Sequence, residues 1–203
     1  PGAGRDDELR AQQQAQGRME ALLRELGMEV DVWCPTDEEL RGMKEYGSCG
    51  ACDLGDRPNV VGTAKGAGGG RSLLLNGHMD TVPPGDPQKW THGPWSGDVE
   101  NGRLYGRGAS DMKGGLLAAV YAYKAVKQSG IPIRGDIIIE SVISEENGGA
   151  GTLACNGRGY RADGGIIMEP TGGKIATAEI GTMLLKIKVE GKPAHGSTAY
   201  EGV

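Results

Sequence analysis

The chain has 203 residues, 37% of them hydrophobic and 24% charged, with a formal net charge of −5. That is enough for one well-buried domain with part of another, and the acidic balance argues against a nucleic-acid partner, which needs a basic face. Phe is absent and aromatics total 4%, so Leu, Ile, Val, Ala and Met must build the core. The 37 glycines follow no collagen period and form no linker tract. They are expected in turns and close backbone approaches.

Residues 6–26 read as an amphipathic helix, with Leu9, Met19, Leu22, Leu23 and Leu26 on one side and Gly27 as the stop. Residues 28–33 alternate like a strand, and residues 35–46 read as a short helix with an acidic start. A loop holding Cys49 and Cys52 leads to a short strand at residues 59–62. With Cys34 and Cys155, the cysteines are too few for a disulfide scaffold and lack the second pair of a zinc knuckle. They read as reduced, inert thiols of a cytoplasmic protein.

Three buried-strand runs follow. Residues 73–75 run into Asn76-Gly-His78-Met-Asp80, residues 137–143 into Ser144-Glu145-Glu146, and residues 165–168 into Glu169. A strong helix is expected over 112–129 and a shorter one over 151–157. Apolar strands alternating with helices predict an α/β fold with a mainly parallel sheet. The longest apolar stretch, residues 115–126, is too short to span a bilayer and contains Lys124. Beyond Glu169, residues 174–180 and 182–190 look like strands of a sheet with one solvated face. A boundary is therefore expected near Ile180, with residues 1–179 in one domain and 180–203 opening a second.

In open α/β sheets, sites form beyond the carboxyl ends of the strands. Here three strand ends carry His78 and Asp80, Glu145 and Glu146, and Glu169, while Asp111 precedes the long helix. One imidazole with several carboxylates suits zinc, manganese or cobalt. Asp80, two residues from His78, can accept the second imidazole N–H and fix its tautomer. Adjacent glutamates point in different directions on an extended backbone, so one can bind metal while the other moves protons.

The motifs Asn76-Gly-His78-Met-Asp80-Thr-Val-Pro83, Gly106-Arg-Gly-Ala-Ser-Asp111-Met-Lys-Gly-Gly115, Ser144-Glu145-Glu146-Asn-Gly-Gly149, Met168-Glu169-Pro-Thr171 and Gly191-Lys-Pro-Ala-His195-Gly-Ser197 carry a resemblance. Together they resemble the cocatalytic zinc amidohydrolase and exopeptidase family containing acetylornithine deacetylase, succinyl-diaminopimelate desuccinylase, aminoacylase and glutamate carboxypeptidase. The resemblance implies a three-layer zinc-exopeptidase-like catalytic domain, truncated, followed by the start of an α+β dimerisation (lid) domain. It implies two divalent ions, zinc before cobalt or manganese. His78, Asp111 and Glu169 would hold one; Asp111 would bridge to a second held by Glu146 and a later histidine. Glu145 would be the general base, and His195 would reach a dimer partner's site to stabilise an oxyanion. The peptide after Asp111 would be cis.

The expected substrate is a small N-acyl amino acid, as for the deacetylase or the desuccinylase. A dipeptidase or carboxypeptidase is the alternative, and a non-catalytic binding module the reading from another class. The family's chains are about twice as long, so this one reads as an N-terminal fragment, inactive alone. His92 looks like part of a pocket wall, and Arg107 like a member of a structural ion pair.

Overall fold

The structure, a computed structural model, describes residues 5–48, 54–178, 191 and 195–202. Two compact units divide it, Pro1–Pro170 and Thr171–Val203. In chain order the first unit contains α1 (Arg5–Glu25), β1 (Glu29–Trp33), α2 (Asp37–Leu40), β2 (Asn59–Ala64), β3 (Leu73–His78), β4 (Val99–Glu100), β5 (Arg103–Leu104), α3 (Gly114–Gln128), β6 (Ile137–Val142), α4 (Ala150–Gly157) and β7 (Gly164–Ile167). No helix among the described residues is long and apolar enough to cross a membrane.

Five strands form one sheet in the order β1-β2-β6-β3-β7. β3 runs parallel to β6 and to β7, whereas β2 is antiparallel to both β1 and β6. The sheet is therefore mixed, not mainly parallel. The cause is local: residues 65–72 join β2 to β3, and so short a link cannot make the crossover that parallel strands need. β4 and β5 form a separate two-stranded ribbon that the sequence pattern did not suggest.

The two faces of the sheet are covered differently. On one, α1 and α3 bury Met19, Leu23, Leu26, Leu116 and Val120 against Val60, Leu75 and Ile139. On the other, α4 sets Cys155 against Val61, Ile138 and Val142. Each fully buried Leu or Ile contributes about 1.5–3 kcal/mol relative to exposure. The α1 stripe holds two residues its hydropathy does not show: Gln12 and Gln16 are both buried. Gln16 donates to the carbonyls of Pro58 and Ser141 and accepts from the Ser141 hydroxyl, so its burial leaves no polar atom unpaired.

The expected helix over 35–46 divides at Gly42. Thr36 and Glu39 form a capping box for α2, and a 3₁₀ turn, Lys44–Ser48, follows. Residues 174–178 have no regular structure. The remainder of the two strands expected there, and the Cys49–Cys52 pair, lie outside the described residues. Cys34 is exposed and Cys155 buried, both free thiols. In the second unit the 3₁₀ segment Gly196–Glu201 follows His195, whose Nδ1 contacts the Ser197 hydroxyl at 2.7 Å.

Candidate metal centre

Three parallel strand ends and one helix start bring the site together. β3 delivers His78, which is 1% exposed. After β6 the chain turns at Ser144, in the left-handed region at φ +56°, and presents Glu145 and Glu146. β7 leads through Met168, whose N–H reaches the Asn76 carbonyl, to Glu169. A π-helical turn, Ala109–Lys113, supplies Asp111, and its peptide bond to Met112 is cis, as the resemblance implies. Gly115 brings α3 onto β7: a Cβ there would lie 2.1 Å from the Met168 carbonyl oxygen. Any larger residue would push apart the elements carrying Asp111 and Glu169.

His78 is the hub. Its Nε2 lies 3.2 Å from Asp111 and 3.8 Å from both Glu145 and Glu169. Its Nδ1 lies 3.0 Å from the Asp80 backbone oxygen and 3.5 Å from the Asp80 carboxylate. A carbonyl only accepts, so Nδ1 carries a proton, and Nε2 is the nitrogen that faces the carboxylates and would bind a metal once its own proton is displaced. Asp80 also accepts from the N–H groups of Glu145 and Glu146, one on each carboxylate oxygen, both at 3.2 Å. The residue expected to orient the imidazole thus also holds the turn bearing both glutamates.

Charge crowding marks the cluster. Burial works against the charged His78, but its contact with Asp80 and the charges of Asp80 and Glu145 outweigh it and raise the imidazole to about 9. Burial first, then the carboxylates of Glu145 and Asp111, push Glu169 up to about 7 despite His78. Burial likewise raises Glu145, helped by Glu146, Asp80 and Asp111 and opposed by His78. For Asp80, burial is overcome by His78 and the two N–H donors, which hold its carboxyl below the usual range.

This donor set fits divalent cations. Ligand atoms of His78, Asp111 and Glu146 lie within 4.8 Å of one another, as do those of His78, Glu145 and Glu169. Burial first, and then like-charge repulsion, raises Glu145 and Glu169; positive ions relieve that repulsion, and a metal competes with protons for the same atoms. Beside Glu146 a cleft of about 320 Å³ is lined by Glu8, Gln12, Arg57, Asp80 and Ser144.

All five residues expected at the metal and base positions therefore gather around His78, with Asp80 beneath them, but the two close sets are His78–Asp111–Glu146 and His78–Glu145–Glu169, not the expected His78–Asp111–Glu169. His195 belongs to the second unit. His92 stacks on Tyr105, with its nitrogens toward Asp98 and Glu100. Arg107 donates to the Pro83 carbonyl and lies over the Trp90 ring, so its contacts there are a backbone oxygen and a ring, not the expected acid. Sequence reasoning missed Lys113, whose ammonium sits over Gly108 and is lowered by burial against the pull of Asp80, Asp111 and Glu146. It also missed Asn59. A buried amide opening a strand is the signal that could have found the latter.

A family model described as Peptidase family M20/M25/M40 matches residues 74–200. The N-formyl-4-amino-5-aminomethyl-2-methylpyrimidine deformylase of Bacillus subtilis (strain 168) is 40% identical over 151 residues, covering 72% of this chain and 31% of that protein. A probable succinyl-diaminopimelate desuccinylase of Staphylococcus aureus (strain Mu50 / ATCC 700699) is 38% identical over 148 residues, covering 72% and 36%. The chain thus spans about a third of the length of these relatives. Among solved structures, an M20 family metallo-carboxypeptidase from Sulfolobus solfataricus superposes with a TM-score of 0.60 at 22% identity, over 77% of this chain and 32% of that one. Human carnosine dipeptidase 1 superposes with a TM-score of 0.53 at 21% identity, over 80% and 33%. At that identity these structures bear on the fold alone.

Proposed function

This chain belongs to peptidase family M20/M25/M40, and on that premise we propose that the protein it forms is a metal-dependent hydrolase releasing an acyl group from the nitrogen of a small amide. The observation that carries the reading is the convergence of His78, Glu145, Glu146 and Glu169 from three strand ends with Asp111 from the turn that opens α3. His78, Asp111 and Glu169 hold one divalent ion, and Asp111 and Glu146 contribute to a second. Bound ions of this kind lower the pKa of water and polarise a carbonyl. Glu145 does the proton work: it takes a proton from the attacking water and returns it to the departing nitrogen. The C–N bond breaks as the C–O bond forms, leaving a carboxylate and an amine. Burial and neighbouring carboxylates raise the Glu145 carboxyl, toward what a base must have to give its proton back.

The deacylase reading is preferred over a dipeptidase or carboxypeptidase because the two curated relatives are named for removing a formyl or a succinyl group. An N-acyl amino acid, as for acetylornithine deacetylase or the desuccinylase, remains the substrate class proposed. Zinc is the ion proposed, with cobalt or manganese as substitutes. We further propose that residues 180–203 open a dimerisation domain, that His195 stabilises an oxyanion in a partner's site, and that the homodimer works in the cytoplasm.

The test uses the chain extended to the length of its relatives, stripped of metal and reloaded with zinc, cobalt or manganese. N-formyl amines, N-acetyl and N-succinyl amino acids and dipeptides are offered as substrates. Metal-dependent cleavage of an acyl amide supports the reading. Cleavage of dipeptides alone transfers it to the peptidase alternative, and absence of both metal binding and hydrolysis makes the protein a binding module. Asp111→Ala is expected to lose both ions together. A variant that keeps two ions at unchanged affinity excludes the bridging role.

A further inference from the structure

We infer that Asn59 is a positioning residue that fixes the loop carrying Glu145 and Glu146 by clamping both of its ends. β6 stops at Val142, so the N–H of Ile143 lies past the last rung of the ladder, where a buried backbone group still needs a partner, while Gly151 sits in the first turn of α4. Asn59 opens β2, is 0% exposed, and serves both. Its Oδ1 accepts from the Ile143 N–H at 3.1 Å, and its Nδ2 donates to the Gly151 carbonyl at 2.8 Å. Because an N–H can only donate and a carbonyl only accept, the amide has one orientation. Its other hydrogen faces the Cys155 sulfur at 3.4 Å, so both amide hydrogens are engaged.

The clamp closes a narrow neck. Gly151 N–H bonds directly to the Ile143 carbonyl at 3.1 Å. A Cβ at position 151 would sit 2.2 Å from that oxygen and 3.0 Å from Asn59 Oδ1, so the neck forms only with glycine there. Residues 144–150 are thus gripped at the base by Asn59 and at the glutamates by the Asp80 carboxylate. Loosening the base displaces both carboxylates, and a misplacement of ~1 Å can cost ~10²-fold in rate.

The inference rests on the roles proposed for Glu145 and Glu146, so the test has an arm that does not. In the metal-loaded, full-length protein, Asn59→Ala is compared with Val60→Ala. Val60 is the next residue of β2, equally buried, but packs into the cluster under α1 and α3. Amide exchange of residues 143–151 and steady-state kinetics are measured at temperatures equally far below each variant's Tm. Asn59→Ala is expected to speed exchange of that segment at least ~10-fold and to lower kcat ~10–100-fold, with KM within ~3-fold. Val60→Ala is expected to leave both within ~2-fold once matched for stability. Equal behaviour of the two variants overturns the inference. If Asn59→Ala does not fold, Gly151→Ala must show the same local exchange and kcat loss, and wild-type values there overturn it equally. If the wild type hydrolyses nothing, the proposed function fails and the exchange comparison alone judges the clamp.

Discussion

The two faces of the central sheet solve different problems with the same strands. Under α1 and α3 most contacts are between Leu, Met, Val and Ile, packed without direction, with the buried Gln16–Ser141 pair as a polar exception. Under α4 the buried positions include Asn59, Asn76 and Glu140, joined by bonds that have direction. Asn76 donates to Glu140 at 2.7 Å and to the Thr152 hydroxyl at 3.2 Å, and Asn59 ties Ile143 to Gly151. Apolar burial scales with area and tolerates small shifts, whereas a hydrogen bond weakens steeply with misalignment. The first face supplies stability. The second sets where the loop after β6 sits, and that loop bears Glu145 and Glu146.

The comparison breaks first if the apolar face proves to control the site. Leu116 is 0% exposed within the cluster beneath α3, so Leu116→Ala is expected to cost about 2–5 kcal/mol of stability. Its turnover per folded molecule should stay near wild type. Denaturant unfolding and active-site titration check the pair of values, and a stable variant with crippled turnover would dissolve the distinction.

From the other side, Asp80→Asn keeps the shape but loses one acceptor. The Asp80 carboxylate lies 3.5 Å from His78 Nδ1 and accepts from the N–H groups of both glutamates, so metal affinity or activity should fall about 10–100-fold, with little change in Tm. Calorimetric titration with zinc tests this, and unchanged affinity and turnover would remove Asp80 from the account.

The smallest effect sharpens the picture of the polar face. Burial raises the Glu140 carboxyl above its ordinary 4.5, and only the bond from Asn76 opposes it. A carboxyl raised in the folded state favours folding at pH below its unfolded value, and that contribution is lost as pH rises through the folded value. Glu140→Gln cannot ionise and still offers an oxygen to Asn76. Its Tm should match wild type near pH 4 and exceed it by a few degrees at pH 8, worth about 1 kcal/mol or less. A difference that does not change with pH would contradict the burial argument.

Much of this was legible in the chain. The runs at Leu73 and Ile137 announce buried strands, whereas β7, expected to be buried as well, is an exposed edge strand; the histidine and acids that end all three announce the site, because a strand's carboxyl end is where an α/β sheet keeps its ligands. The direction of β2 was less visible, since strand patterns carry no sign of orientation and only the short link at residues 65–72 limits it. Gln12, Gln16, Asn59 and Glu140 were hidden for a different reason. Hydropathy counts an amide or a carboxyl as a surface residue, and nothing local reveals that its partner lies on a distant element of the chain. The signal lay in register: Glu140 stands at a core-facing position within Ile137–Val142, where a polar residue must have a partner. Gly42 at the break in the expected second helix was a plainer clue, a residue of poor helix propensity.

The most direct test of the central claim is turnover and metal content measured together on Glu145→Gln in the metal-loaded, full-length protein. The account assigns Glu145 the protons and leaves the ions to His78, Asp111, Glu146 and Glu169. It therefore predicts a fall in turnover of about 10²–10⁴-fold with the number of bound ions per chain unchanged. Metal content that falls in step with activity would contradict it, making Glu145 a ligand and moving the base to Glu146.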